Sequence, residues 1–254
     1  MQHIIKVDLD TFPEGFHSRR LATSATGIDS CIVLFSRVPP GHHGPKLHTH
    51  AADQLYYIVK GSMKVQLGTE VFTVEPGNLV FIPEGTPHCN WNDGTEDEFH
   101  LEVFAPAPPL ENIVRPAELR AIPNASELIR KPRPDGYRTV WPGFILQQLA
   151  QRSTGSQSAR LYIAEFGPAS GGPKLHFHDF DQFYFILEGS MEIQVGNRKM
   201  TAGPNSLVVL PAGTLHTNFN LGPGTERHIA LLVPEPHEGE KLDYRVELLL
   251  AESH

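Results

Sequence analysis

The chain has 254 residues, of which 40% are hydrophobic and 20% charged, as in an ordinary globular protein. Its formal net charge of −8 argues against a nucleic-acid or anionic-membrane surface. Two cysteines, Cys31 and Cys89, cannot build a disulfide framework or a thiolate zinc site, and no apolar run is long enough to span a bilayer or serve as a secretion signal, so the expected compartment is the reducing cytoplasm.

In chain order, the predicted elements are strands. The 22 glycines and 22 prolines imply many turns and little long helix. Leu55–Val59 is a short, aromatic-rich apolar run, Ser62–Leu67 alternates, and Leu79–Ile82 is an apolar run closed by Pro83-x-Gly85. Turn signals separate them at Lys60-Gly61, Glu75-Pro76-Gly77, Glu84-Gly85 and Asn92-Asp93-Gly94. A segment with Pro116, Pro123, Pro132 and Pro134 reads as a semi-rigid linker, with one short helix expected over Pro116–Ala121. The strand pattern then returns in Phe183–Leu187, Ser190–Val195 and Leu207–Leu210. The tail, Glu238–Ala251, is the best helix candidate and could clasp the other domain or a second subunit.

The return is an internal repeat. Sliding the sequence along itself by 128 residues (176 − 48) lays His48 on His176, Gln54 on Gln182, Gly61 on Gly189 and His88 on His216. From Gly44 to Pro106 there are roughly 29 identities in about 63 ungapped pairs. A register without gaps gives every strand and turn a counterpart. The expected chain is therefore all-β, with similar small antiparallel barrels or sandwiches at 1–112 and 135–254 joined by the linker 113–134.

Three features of each copy carry chemistry. His48-Thr49-His50 and His176-Phe177-His178 place two imidazoles on one face of a strand, because side chains alternate. Gln54 and Gln182 follow on the next strand, and His88 and His216 are set by Pro-x-Gly-x-x-His. Four ligands from three adjacent strands could hold one divalent metal per barrel and leave positions open. The stretches Gly44–Gly61 and Gly77–Asn92 resemble the two cupin motifs, and Gly172–Gly189 and Asn205–Asn220 repeat them, with Asn205 where the first copy has Gly77. The resemblance implies two tandem cupin barrels of double-stranded β-helix, or jelly-roll, type with 3-His/1-Gln metal sites.

The glutamines depart from the glutamate that cupin enzymes usually carry. Three imidazoles and an amide leave the site's charge near +2, which favours an anionic or chelating small molecule and removes a carboxylate base. Quercetinase-like cupins are thought to use that glutamate, whereas some bicupin isomerases of antibiotic biosynthesis resemble this chain in having glutamine. Lys46 and Lys174 share strand parity with the histidine pairs, either to orient an anionic substrate or to face solvent at the barrel mouth. Tyr56 and Tyr184 share parity with the glutamines and either line the pocket or pack the barrel. His100 and His228 recur outside the motifs, as hydrogen-bonded core residues or as proton shuttles.

Three functional readings follow. The first is an iron(II) dioxygenase that cleaves a C–C bond of a small aromatic or dicarbonyl substrate. The second is a non-redox isomerase, cyclase or lyase, for which zinc, nickel, cobalt or manganese would also serve. The third is a binding cupin without turnover. Paired barrel faces leave room for a homodimer as well.

Overall fold

Alternating apolar side chains turn most of this chain into short antiparallel strands, and glycine turns reverse it between them. The structure is a computed structural model and describes residues 2–109 and 113–247. Gly61 and Gly189 mark one matched pair of these reversals, with φ of 68° and 71°. A Cβ there would come within 2.5 Å of the Asp97 carbonyl or 2.7 Å of the Thr225 carbonyl, so only glycine fits. Asn205 takes φ 58° where Gly77 takes 85°, as its tolerance of left-handed backbone allows.

Each half folds as two facing sheets. In the first half, Leu79–Ile82, Asp53–Lys60, Glu98–Ala105, Ile32–Val38 and His17–Ala22 form the larger sheet in that order. His48–Thr49, His88–Trp91, Met63–Leu67 and Glu70–Val74 form the smaller one. The second half repeats this plan, with Ser206–Leu210, Asp181–Glu188, Glu226–Val233, Arg160–Phe166 and Phe144–Ala150 in its larger sheet.

The two halves exchange strands. Ile4–Lys6, at the start of the chain, pairs with Ser206–Leu210 of the second barrel, Ile4 opposite Val208. Ile129–Arg130, just ahead of the second repeat, pairs with Leu79–Ile82 of the first, Ile129 opposite Val80. Val80 and Val208 are themselves repeat partners, so the exchange is reciprocal.

Between the larger sheets lies one shared apolar core. Strand parity sends Leu55 and Tyr57, and likewise Phe183 and Phe185, away from their own barrels into this seam. Phe35 of the first half stacks on Phe185 of the second, with centroids 5.4 Å apart. The alternate residues, Tyr56 and Ile58 or Tyr184 and Ile186, fill the two barrel interiors. Polar ties reinforce the seam: Ser30 donates to Asp181 at 2.5 Å, and the Gln157 amide donates to Asp53 at 3.2 Å.

Both helix expectations fail where the structure describes them. Arg115–Pro116 pairs with His48–Thr49 as a strand, and no helix follows over Pro116–Ala121. The tail from Glu238 to Glu247 is likewise non-helical, with Tyr244–Arg245 pairing on His176–Phe177. The remainder of the expected tail helix, 248–251, lies outside the described residues. The reason is common to both: each segment's backbone is taken up by the histidine strand it crosses. The Ala117 amide donates to the Leu47 carbonyl at 3.4 Å and the Val246 amide to the Leu175 carbonyl at 3.0 Å. Among the described residues no helix is long and apolar enough to cross a membrane.

Phe35 and Phe185 are fully buried in the seam. Phe185→Ala is therefore expected to destabilise the whole chain by about 3–5 kcal/mol, measured by denaturant unfolding.

Candidate metal centres

In each barrel the ligands converge between the two sheets, not from three neighbouring strands of one. His48 lies directly opposite His88 in the smaller sheet, and Gln54 reaches across from the larger one. His176, His216 and Gln182 repeat this arrangement. The ring nitrogens of His48, His50 and His88 lie within 4.8 Å of one another, as do those of His176, His178 and His216, and all six residues are buried.

Every one of the six imidazoles directs Nδ1 at a backbone carbonyl. His48 and His176 donate to the carbonyls two residues earlier, Lys46 at 2.7 Å and Lys174 at 2.8 Å. His88 and His216 do the same to Thr86 and Thr214, both at 2.8 Å. The middle histidines use the crossing segments: His50 donates to the Ile113 carbonyl and His178 to the Leu242 carbonyl, the latter at 2.6 Å. With Nδ1 protonated, each neutral ring presents a bare Nε2 lone pair to the interior.

Those lone pairs confront one another. Nε2 of His48 is 3.0 Å from Nε2 of His50. Nε2 of His178 is 3.1 Å from Oε1 of Gln182. Nε2 of His88, Nε2 of His216 and Oε1 of Gln54 are buried with no hydrogen-bond partner among the described residues. Acceptors gathered so closely in a buried site fit a cation between them, and three imidazoles with one amide oxygen suit a divalent metal. Protonation is the alternative, and burial opposes it. Burial lowers the pKa of His48, His88 and His176, brings His50 down to about 4 and brings His216 down to about 3.

The remaining sequence candidates separate into two groups. Lys46 and Lys174 are exposed, and their backbone carbonyls accept from His48 and His176. Tyr56 and Tyr184 are buried and line the cavities over their respective centres, where burial raises both phenol pKa values. Their rings lie 4.8 Å from His100 and 5.1 Å from His228. His100 and His228 also line the cavities, and each holds Nδ1 2.9 Å from a fully buried glutamate, Glu98 or Glu226. Burial opposes charging His100, but the Glu98 carboxylate outweighs it and raises the pKa.

Glu98 and Glu226 escaped the sequence reading, although the repeat aligns them and Glu-x-His on a strand puts both on one face. Glu102 escaped it as well, and there the repeat breaks: its partner is Ala230. Glu102 is buried beside the first centre, accepting from Gln54 Nε2 at 2.6 Å and from Ser36 at 3.1 Å. Burial raises its pKa despite the nearby His100 and these two hydrogen bonds. The second centre instead has Asp243 at its rim, 3.7 Å from His178 Nδ1.

The cavities differ in keeping. The second, of about 180 Å³, has aromatic walls that include Trp141, Phe144, Phe166 and Phe180. The first, of about 140 Å³, exposes Ser18, His100 and Glu102 beside Leu34 and Phe104.

Compared with known proteins, the cupin-domain family matches residues 34–104 and 162–231, more than half of the chain. The chain belongs to the cupin family. Its two matched blocks coincide with the two metal-ligand sets, so each cupin unit carries one centre. Among curated relatives, this cupin is 24% identical to a gentisate 1,2-dioxygenase from Haloferax sp. over 83% of the chain and 74% of that protein. It is 35% identical to an uncharacterized Streptomyces coelicolor protein, over 22% of the chain and 53% of that protein. Among solved structures it resembles the oxalate decarboxylase of Bacillus subtilis, a protein with Mn(II) centres, at a TM-score of 0.66 and 15% identity over 94% of this chain and 78% of that one. A cupin 2 conserved barrel protein from Leptotrichia buccalis superposes at 0.63 with 13% identity, over 91% and 95%. These likenesses establish a bicupin fold.

Two expectations follow. Elemental analysis should find close to two divalent metals per chain, and His48→Ala should remove about one while the other stays; loss of both or of neither would refute two separate centres. The metal-free protein should depend on pH through its buried histidines. Their folded pKa values lie below the ordinary ~6.5, so the unfolded chain binds more protons as the solution is acidified. Thermal stability should hold above about pH 6.5 and fall as pH drops toward about 4, whereas metal-saturated protein should resist the change.

Proposed function

We propose that this bicupin is a metal-dependent dioxygenase, working with iron(II), that cleaves a C–C bond of a small aromatic or dicarbonyl acid while both atoms of O₂ enter the product. The observation that carries this reading is the second centre. There an uncharged ligand set lies at the foot of an aromatic-walled cavity. The metal, when bound, supplies Lewis acidity and, as iron, redox activity. The chain supplies everything else. His176, His178, His216 and Gln182 hold the cation without adding charge, so an anionic, chelating substrate meets a site near +2. Trp141, Phe144 and Phe180 exclude water and stack a planar ring. Arg138, exposed at the cavity mouth, offers a partner to a substrate carboxylate. The 24% identity to a gentisate dioxygenase supports the same chemistry by analogy.

A second reading, a non-redox isomerase, cyclase or lyase, is favoured by a pair found at both centres. Glu98 orients His100 and Glu226 orients His228 within their cavities, as an acid–base pair would require. Manganese, zinc, nickel or cobalt would serve that reaction. Cytoplasmic residence and a homodimer belong to the same proposal.

Iron-loaded protein should consume O₂ in proportion to product when offered hydroxylated aromatic acids or 1,3-dicarbonyl acids. Turnover without O₂ uptake would transfer the assignment to the non-redox reading, and no turnover on any metal would end both. Gln182→Glu adds a negative charge beside the substrate. Two unit charges ~4 Å apart interact by about 4 kcal/mol at an effective dielectric of ~20, so even after heavy screening the affinity for an anionic substrate should fall about tenfold or more. Unchanged affinity would remove the argument for an anion.

A further inference from the structure

Repeat symmetry relates the ligand candidates, the tyrosines and the Glu–His pairs of the two centres, and fails at one polar group that touches a ligand candidate. Glu102 accepts a hydrogen bond from Nε2 of Gln54 at 2.6 Å, whereas its counterpart Ala230 has no polar side chain. A carboxylate has no N–H to offer, so the amide must turn its NH₂ toward Glu102. That leaves the carbonyl oxygen as the end of the amide available to a cation. Oε1 of Gln54 is buried and has no hydrogen-bond partner among the described residues. Ser36 donates to the other oxygen of Glu102 at 3.1 Å and is itself 2.7 Å from Ser18, which fixes the carboxylate in turn. At the second centre Oε1 of Gln182 lies 3.1 Å from His178, and Ala230 leaves open space where Glu102 would stand. Asp243, about a third exposed, lies beside His176 and His178 there and makes no hydrogen bond to Gln182.

We infer that Glu102 is a positioning residue, one that locks Gln54 with its oxygen on the metal and so makes the two centres unequal. The first centre holds its cation through four fixed protein groups. The second holds its cation through three histidines and an amide free to turn, which yields a coordination position to an incoming ligand more readily. The inference rests on the two metal centres and not on any particular reaction.

Mn²⁺ titration of the metal-free full chain, followed by EPR, tests it apart from activity. Two steps are expected, at least tenfold apart in affinity, with the tighter one lost in His48→Ala and retained in His176→Ala. Two equal steps, or a tighter second centre, would overturn the inference. Glu102→Leu should weaken the tighter step about ten- to a hundredfold, the usual effect of removing a partner that orients a ligand, and leave the weaker step unchanged. An unchanged tighter step would also overturn it. The exchange Gln54→Glu with Glu102→Gln keeps one carboxylate and one amide with their positions swapped. It should restore affinity to within about threefold of the parent, with a single-site Mn²⁺ spectrum like the parent's. If it binds as poorly as Glu102→Leu, Glu102 serves packing alone. Ala230→Glu should strengthen the weaker step several-fold, and failure to do so in a variant that melts like the parent would count against the lock.

Discussion

Bare imidazole lone pairs held face to face inside each barrel are the constraint on which the rest of this structure depends. Nε2 atoms 3.0 Å apart repel unless a cation or a proton separates them, and burial discourages the proton. The chain holds this arrangement by engaging all six Nδ1 atoms with carbonyls. Four of those carbonyls lie two residues upstream and come free with the local turn. The other two, of Ile113 and Leu242, arrive from segments that follow their barrels, which is why those segments cross the histidine strands in extended form. A helix over the tail would use the Leu242 carbonyl itself and leave His178 without an orienting partner.

Much of the site was legible because it obeys short-range rules. Period-2 alternation put His48 with His50 and His176 with His178 on one face, and the repeat tied them to Gln54, His88 and their partners at a single offset. The same parity separated Tyr184, which faces the cavity, from Phe183 and Phe185, which build the seam. What stayed illegible depends on what each segment meets in space. Glu238–Glu247 has helical composition, yet the edge of the His176–Phe177 strand claims its backbone. Arg115–Pro116 is captured in the same way. Lys46 has the parity of a pocket residue but sits where the barrel opens to solvent. Glu102 could have been found only by asking where the repeat breaks rather than where it holds.

The seam shapes the centres as well as joining them. Gln54 and Gln182 each follow an aspartate, Asp53 or Asp181, that bonds across to the other half. The strand bearing the glutamine is thus pinned at its start by one barrel while its side chains reach into the other layer. Alternation along eight residues assigns every second side chain to the interface and the rest to the metal pocket. Packing and chemistry therefore share the same strands without competing for the same positions.

The reciprocal exchange of Ile4–Lys6 and Ile129–Arg130 gives the chain the architecture of two identical subunits that have traded arms. In a true homodimer every substitution occurs twice, so neither pocket can change without its twin. Here one gene encodes both pockets separately, and evolution can edit one while the other preserves the shared scaffold. Glu102 facing Ala230, and Leu34 facing Tyr162 across the same repeat, are the products of that freedom. The paired architecture of a dimer has become, in a single polypeptide, a licence for its two halves to diverge.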